Sequence, residues 1–316
     1  MDTESILVEL DDPYASYQWD AMEAAVAQQE AITPRLLEWL QFMADSPWEW
    51  MDEAGGGGLY AMALVAHFRE PAAHEPLLRI AALPGTTLEA LLGDGLTELL
   101  PAALWRTSGG RADGLRSLVE NREAYGYSRG AAADALYFGA LWGDLDFAEV
   151  RDYLVGLLAE EDFAEEGDSA WKGVFHTVTS MYPAEHVHFL RAWARKRPAS
   201  PLEDLEAELD WVLRQDRQAF LDEERERSRL FLPEDVHGFL SHWAGFQPGY
   251  WDAQDEDLEE PPEPEGWPGD DPLFSGAFRA EPKAKATKPA GQESGKKKAK
   301  RKQQKKARKA NRKKGK

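Results

Sequence analysis

Few residues in this chain combine type and spacing in a way that admits chemistry. Asp94 and Glu98 lie four apart in Gly93-Asp94-Gly95-Leu96-Thr97-Glu98, so on a helix their carboxylates share a face. A catalytic pair is one reading of them, and an acid-rich surface also produces such pairs by chance. His186-x-His188 opens an apolar stretch after Tyr182-Pro183, with His176 ten residues earlier and Glu185 adjacent. Residues two apart face away from each other on a helix, so these two histidines do not chelate one ion there. A satisfied polar group at a helix end is the simpler reading of them. It is also the simpler reading of His237 and His242 near Trp243, and of His67 and His74 around Arg69-Glu70-Pro71. Gly55-Gly56-Gly57-Gly58 lacks the Gly-Lys-Ser/Thr that would reach phosphates, and reads as a loop. Trp48-Glu49-Trp50 before it reads as packing onto the first helices. There is no cysteine, hence no thiolate zinc site, iron–sulfur cluster or cysteine nucleophile. No nucleophile–base–orienter set and no zincin motif is present. The expectation is no catalytic residue, no cofactor and no metal.

Charge separates the chain into unlike segments. Its 316 residues carry 37 Lys+Arg and 57 Asp+Glu, a net charge of −20. Residues 283–316 hold 17 of the bases and one acid, Glu293, whereas residues 1–282 hold 56 acids and contain only Lys172 and Lys196 among their lysines. Between Trp251 and Pro282, runs such as Asp255-Glu256-Asp257 and Glu259-Glu260-Pro261-Pro262-Glu263-Pro264-Glu265 combine proline with dense negative charge, a composition that cannot build a core. Trp267, Leu273, Phe274 and Phe278 are its sparse apolar anchors. Three segments are predicted: a helical domain over 1–250, a disordered acidic Pro-rich linker over 251–282 and a disordered Lys/Arg-rich tail over 283–316. No apolar run approaches the ~20 residues a bilayer span needs, and the acidic start is unlike a secretory leader. The expected location is the cytoplasm, with no membrane contact.

Any site must be positioned by helices, since β-branched alternation is nearly absent. Thr33-Pro34 predicts a helix start before Leu36, Leu37 and Leu40. Thr86 with Glu89, Asp146 with Glu149, and Ser200-Pro201 with Glu203 have the spacing of capping boxes. Val150, Tyr153, Leu154, Leu157 and Leu158 form one apolar stripe. Gly93-Asp94-Gly95 inside an apolar stretch predicts a helix break or a close helix–helix approach, because each interior glycine costs ~1 kcal/mol against alanine. Apolar helices open at Leu77, Leu115, Val150 and Val187, at intervals of 38, 35 and 37 residues. One further helix falls in each interval: Leu88–Trp105, Ser128–Trp142 and Ala170–Met181. Two helices per interval is close to the ~34–47-residue period of helical repeats. A helix pair cannot bury its own apolar face, so stacked neighbours make a continuous core. The predicted fold is all-α, a HEAT-like α-solenoid of antiparallel helix pairs, with a compact irregular helical domain as the alternative.

Particular phrases carry a family likeness. Ala24-Ala25-Val26-Ala27-Gln28-Gln29-Glu30-Ala31-Ile32-Thr33-Pro34-Arg35-Leu36-Leu37 resembles the opening of a bacterial family catalogued as domain of unknown function 1186. Tyr60-Ala61-Met62-Ala63-Leu64-Val65-Ala66-His67-Phe68-Arg69-Glu70-Pro71, Leu83-Pro84-Gly85, Leu92-Gly93-Asp94-Gly95-Leu96-Thr97-Glu98, Ser128-Arg129-Gly130-Ala131-Ala132 and Met181-Tyr182-Pro183 follow in the family's order. The resemblance implies an all-helical, HEAT-like body of uncharacterised activity and supplies no catalytic residues. Many such proteins end in a SEC-C zinc knuckle with a Ser-Gly-Lys-Lys-like centre. Ser294-Gly295-Lys296-Lys297 echoes that centre, yet every ligand position lacks cysteine, so the soft zinc site is absent here.

The tail carries the sharpest charge signal. Lys296, Lys297, Lys298, Lys300, Arg301, Lys302, Lys305, Lys306, Arg308 and Lys309 form a candidate polyanion-binding run. Without an aromatic residue it can engage phosphates but not stack bases. It has two outlets, non-specific contact with RNA, DNA or ribosomes, and contact with the chain's own acidic body. The leading expectation is a non-enzymatic helical-repeat scaffold whose acidic surface binds a basic protein. The alternative is a nucleic-acid- or ribosome-associated accessory protein acting through the tail, and a third reading is an enzyme with a site gathering Asp94, Glu98 and a histidine.

Overall fold

Successive apolar stripes, each too small to be a core alone, determine the course of the chain. The computed structural model describes residues 1–12, 16–53, 56–164, 168–196, 204–231 and 233–247, all within one unit, Met1–Pro262. The expected linker and tail, 251–282 and 283–316, lie outside the described residues. Among the described residues every regular element is helical.

Helix α1 (Thr3–Leu10) starts on Asp2, whose Oδ1 accepts from the Ser5 amide at 2.8 Å, and buries Ile6, Leu7 and Leu10. Helix α2 (Trp19–Ala27) leads into α3 (Gln29–Asp45), whose buried Ile32, Leu36, Leu40 and Met43 lie on one stripe. The start expected at Thr33-Pro34 is thus inside α3. Burial of Ile32 draws the preceding turn into the helix, and the Thr33 hydroxyl bonds back to the Gln29 carbonyl at 2.7 Å. Short α4 (Pro47–Glu53) precedes α5 (Gly57–Phe68). The glycines before Leu59 are not merely loop. An added Cβ on Gly57 would fall 2.4 Å from the Trp39 ring, and one on Gly58 would fall 2.9 Å from the Met43 side chain. Their lack of side chains lets α5 lie against α3. Trp50 is buried against Trp39 and Phe42, as the packing reading expects, whereas Trp48 is 57% exposed.

From there the chain alternates. Helix α6 (His74–Ala81) buries Leu77 and Ile80. The apolar stretch from Leu88 to Trp105, expected as one helix, is three: α7 (Gly85–Leu92), α8 (Gly95–Glu98) and α9 (Leu100–Thr107). Gly93 makes the break by adopting φ +51°, where a Cβ is strained. Nor does α7 start on a Thr86–Glu89 box. Its first residue is Gly85, no side chain caps it, and the Glu89 carboxylate instead accepts the Tyr125 hydroxyl at 2.7 Å. Helices α10 (Asp113–Glu120), α11 (Gly126–Leu141), α12 (Phe147–Ala159), α13 (Ser169–Ser180) and α14 (Val187–Arg195) follow close to their predicted places. The Asp146 cap of α12 holds, accepting from the Glu149 amide at 2.8 Å, while the Glu149 carboxylate pairs with Arg116 at 2.6 Å. Helix α15 (Leu205–Leu213) is capped by Asp204, which accepts from the Ala207 amide at 2.9 Å; the expected Ser200–Glu203 box lies outside the described residues. Helices α16 (Arg217–Ser228) and α17 (Val236–Leu240) complete the described chain.

Polar contacts tie each stretch of the chain to its neighbour a single interval away. The Arg106 Nε donates to the Ala66 carbonyl at 2.7 Å, Trp105 Nε1 to Asp144 at 2.8 Å, and Tyr153 OH to Glu120 at 2.8 Å. Arg151 Nη1 donates to Glu185 at 2.9 Å, Trp193 Nε1 to the Leu158 carbonyl at 2.7 Å, and Tyr182 OH to the Gln215 carbonyl at 2.9 Å. The sequence separations of these six contacts run from 33 to 40 residues. Arg129, 1% exposed, gathers three neighbours: it donates to the Val119 carbonyl at 2.9 Å, the Phe163 carbonyl at 2.6 Å and Asp168 at 3.2 Å.

Candidate functional site

The last described stretch, from α16 to Gln247, returns along elements already laid down. Tyr137 OH donates to Glu224 at 2.9 Å, Arg225 Nε to the Leu141 carbonyl at 3.1 Å, and Trp142 Nε1 to Ser228 Oγ at 3.2 Å. Farther on, Arg106 Nη1 lies 3.6 Å from Glu234, and His67 Nδ1 donates to the Pro233 carbonyl at 2.8 Å. The return ends on the N-terminal helices. Tyr17 OH meets His237 Nδ1 at 3.1 Å, Glu23 meets His237 Nε2 at 3.1 Å, and Trp19 stacks on the same ring with centroids 4.7 Å apart. Along the return segment the partners shift from residues 137–142 to residues 67 and 106 and then to residues 17–23.

Where this segment passes α8, a cleft of about 630 Å³ remains. Glu98 of α8, Phe239, His242 and Trp243 are among the residues that line it. Leu230 and Phe231 also line it and are 72% and 39% exposed. The Gly93-Asp94-Gly95 motif acquires a physical account here. A Cβ on Gly95 would fall 2.9 Å from Leu59 and 3.6 Å from Trp243, so the glycine lets both approach α8.

Three carboxylates, Glu98, Glu234 and Asp235, line this cleft against the Arg229 guanidinium and the His242 ring. Burial, then the neighbouring Asp94 carboxylate, pushes the Glu98 pKa up, while His242 acts in the opposite direction. Among the described residues no hydrogen bond or ion pair engages the Glu98 carboxylate. His242 Nδ1 lies 3.0 Å from the Gly238 carbonyl, which can only accept, so Nδ1 carries a proton. Glu234 is shared between Arg106 and Arg229, and Asp235 caps α17 through the Gly238 amide at 2.9 Å. The cleft thus gathers Glu98 and His242 from opposite ends of the sequence, with Asp94 acting on Glu98 by its charge. Among the described residues its lining offers no hydroxyl, thiol or amine nucleophile. What it can do chemically is bind a cationic and apolar group.

The other histidines flagged by spacing are satisfied elsewhere. His186 Nε2 pairs with Asp152 at 2.8 Å, His176 Nδ1 with Glu208 at 2.9 Å, and buried His74 meets the Thr107 hydroxyl at 3.3 Å. Burial, then the charge of Arg111, pulls the His74 pKa down. His188 is exposed. Among the described residues no three His, Asp or Glu side chains are grouped to hold a metal ion. The ten candidate polyanion contacts from Lys296 to Lys309 lie outside the described residues.

Two acids, half-buried Asp134 and buried Glu224, escaped the sequence reading. Asp134 of α11 accepts from Thr177 Oγ1 at 2.6 Å, and that hydroxyl also lies 2.9 Å from the Gly173 carbonyl. Burial pushes the Asp134 pKa up to about 6. Glu224 is likewise raised by burial, and Tyr137, which donates to it, is raised by burial and then by the Glu224 charge. Neither acid had a short-range motif, since their partners lie 43 and 87 residues away.

The family described as "Protein of unknown function (DUF1186)" matches residues 1–247, which span the described helices from α1 to α17. The chain belongs to the DUF1186 family. Similar proteins are an uncharacterized protein of Chlamydia trachomatis serovar D, 29% identical over 168 residues, and one of Chlamydia muridarum, 28% identical over 167. Each alignment covers 52% of the DUF1186 chain and 66% of the relative. No solved structure matches it. Among the described residues no helix of this DUF1186 protein is long and apolar enough to cross a membrane.

Proposed function

We propose that this DUF1186 chain is a non-enzymatic scaffold, a HEAT-like α-solenoid closed by its own C-terminal return segment, whose acidic surface recruits a basic protein partner in the cytoplasm. The observation that carries the architecture is the ladder of polar contacts between positions 33 to 40 residues apart. Stacked repeat units touch only their neighbours, and that is the pattern such stacking produces. The charge argument comes next. Residues 251–316 hold 12 of the 57 acids and 18 of the 37 bases, leaving 45 acids and 19 bases in residues 1–250. Many of those bases are arginines already committed to internal pairs, such as Arg116 with Glu149, Arg129 with Asp168, Arg151 with Glu185 and Arg191 with Asp210. The carboxylates of residues 1–250 thus outnumber their cations by 26, an excess that steers positively charged partners toward the body.

A second reading rests on the 17 Lys+Arg of residues 283–316: contact with RNA, DNA or ribosomes through phosphates. Co-purification separates the two. The full chain is compared with a variant in which Lys296, Lys297, Lys298, Lys300, Arg301, Lys302, Lys305, Lys306, Arg308 and Lys309 are glutamine, each with and without nuclease. The scaffold reading expects the same basic proteins to be retained in all four samples. Retention that disappears with nuclease or with the glutamine variant assigns the protein to the polyanion reading instead.

A further inference from the structure

The cleft beside α8 has a feature that internal packing does not account for. Leu230 sits in a single helical turn, Arg229–Phe231, and leaves 72% of its surface in water beside the partly exposed Phe231. Leaving apolar surface solvated forgoes roughly 25 cal/mol for each Å² that could be covered. Phe239 and Trp243 extend the apolar part of the lining. At its α8 side stands the Glu98 carboxylate, with Asp94 adding negative charge beside it. An apolar ledge next to an acidic wall is complementary to a segment that pairs aliphatic side chains with a lysine or arginine. A volume of about 630 Å³ accommodates a few side chains of a peptide, and a projecting leucine is better covered by such a segment than by a small molecule seated in the depth.

We infer that this cleft docks an apolar, cationic segment of the partner protein, with aliphatic side chains on Leu230 and Phe231 and a basic side chain on Glu98. This assignment rests on the reading that the acidic body recruits a basic protein, and it places that recruitment. It also gives the return segment a role, because residues 229–243 supply most of the lining and residue 98 the rest.

The test uses the full chain and a fluorescein-labelled amphipathic Leu/Lys peptide, followed by fluorescence anisotropy. Two comparison peptides replace either the leucines by serine or the lysines by glutamate. Leu230→Ser and Glu98→Gln alter the cleft, and because Leu230 is mostly exposed and Glu98 has no polar partner among the described residues, circular dichroism should show both folded. Each variant is expected to weaken the Leu/Lys peptide about tenfold, the equivalent of ~1.4 kcal/mol. Both comparison peptides are expected to bind still more weakly. Equal binding by wild type and both variants overturns the cleft assignment while leaving recruitment by the acidic body intact. Equal binding of the serine-substituted peptide also overturns it, since the apolar ledge would then contribute nothing. Absence of binding by any lysine-bearing peptide removes both readings. Self-association in sedimentation equilibrium that Leu230→Ser abolishes would give the face to a second copy of the chain, again against the assignment.

Discussion

Three helical glycines give the packing of this fold a test with opposite expected signs. Gly130 of α11 and Gly173 of α13 sit where the two helices meet backbone to backbone, whereas Gly156 of α12 is exposed. A Cβ on Gly156 meets nothing within 4 Å, so Gly156→Ala should return the usual gain for alanine over glycine, about 0.5–1 kcal/mol. A Cβ on Gly130 would lie 3.6 Å from the Gly173 Cα, an ordinary contact, so Gly130→Ala should be neutral or stabilising by a similar amount. The reverse substitution is different: a Cβ on Gly173 would fall 2.9 Å from the Gly130 Cα. That neighbour is main chain and cannot rotate aside, so the helices must separate by several tenths of an ångström. Overpacking of this kind costs about 1–3 kcal/mol, which exceeds the alanine gain and leaves Gly173→Ala net destabilising by about 1–2 kcal/mol. Urea denaturation followed by circular dichroism measures all three, with midpoints moving in proportion to the change when the slope is unaltered. If Gly173→Ala proves as stable as Gly156→Ala, the close α11–α13 approach is wrong.

Other perturbations probe the buried polar groups and the tail. Arg129→Met should cost about 3–5 kcal/mol, because it strands Asp168 and two carbonyls, and Arg129→Lys should recover less than half, since an ammonium cannot span three acceptors; urea midpoints decide. Asp134 has a folded pKa of about 6 against an ordinary 3.8, so its contribution to stability is present below about pH 4 and is lost as pH rises through 6. In its protonated form it donates to Thr177, freeing that hydroxyl for the Gly173 carbonyl. Asp134→Asn should therefore gain on wild type by about 2–3 kcal/mol between pH 4 and pH 8, read as a widening difference in urea midpoint; a constant difference refutes the buried-carboxyl account. Tyr137→Phe removes a donor to the buried Glu224 and should destabilise by about 1–3 kcal/mol in thermal or urea unfolding. For the tail, glutamine at the ten positions from Lys296 to Lys309 should flatten the salt dependence of single-stranded RNA binding, which filter-binding titrations across salt concentrations would measure.

The all-helical class was legible because its signals are local. The stripe Val150, Tyr153, Leu154, Leu157 and Leu158 and the Asp146 cap each lie within a few residues of one another, and α12 forms where they place it. Where local reading failed, a distant partner intervened. Glu89 has the spacing of a capping-box residue, but Tyr125 takes its carboxylate from 36 residues away, and α7 begins on an uncapped Gly85. Pro34 has the form of a helix start, but the buried Ile32 needs the turn before it. Gly57 and Gly58 looked like a loop because their reason for being glycine, Trp39 and Met43, lies on another helix.

The candidate site was half visible for the same reason. Asp94 and Glu98 are a spaced pair that any sequence reading finds, and the break at Gly93 is predictable from the cost of glycine in a helix. Of their counterparts at 229–243, only His237 and His242 near Trp243 stand out in the sequence, and without a spacing that points to Glu98. That stretch is selected by geometry: Arg106, His67 and Tyr17 each present a polar group to it, and Tyr137 and Trp142 do the same for the residues just before it, so a segment lacking its own period is held in register by residues that precede it in the chain. A segment held this way can leave Leu230 exposed without slipping, since its position does not depend on burying that side chain. The cleft is therefore a product of the return path, and loosening that path at Tyr17 should open the cleft and weaken the Leu/Lys peptide even though Tyr17 does not line it. Tyr17→Phe removes the hydroxyl that meets His237 at 3.1 Å while keeping the ring, and a loss of peptide affinity by severalfold would tie binding to the latch rather than to charge alone.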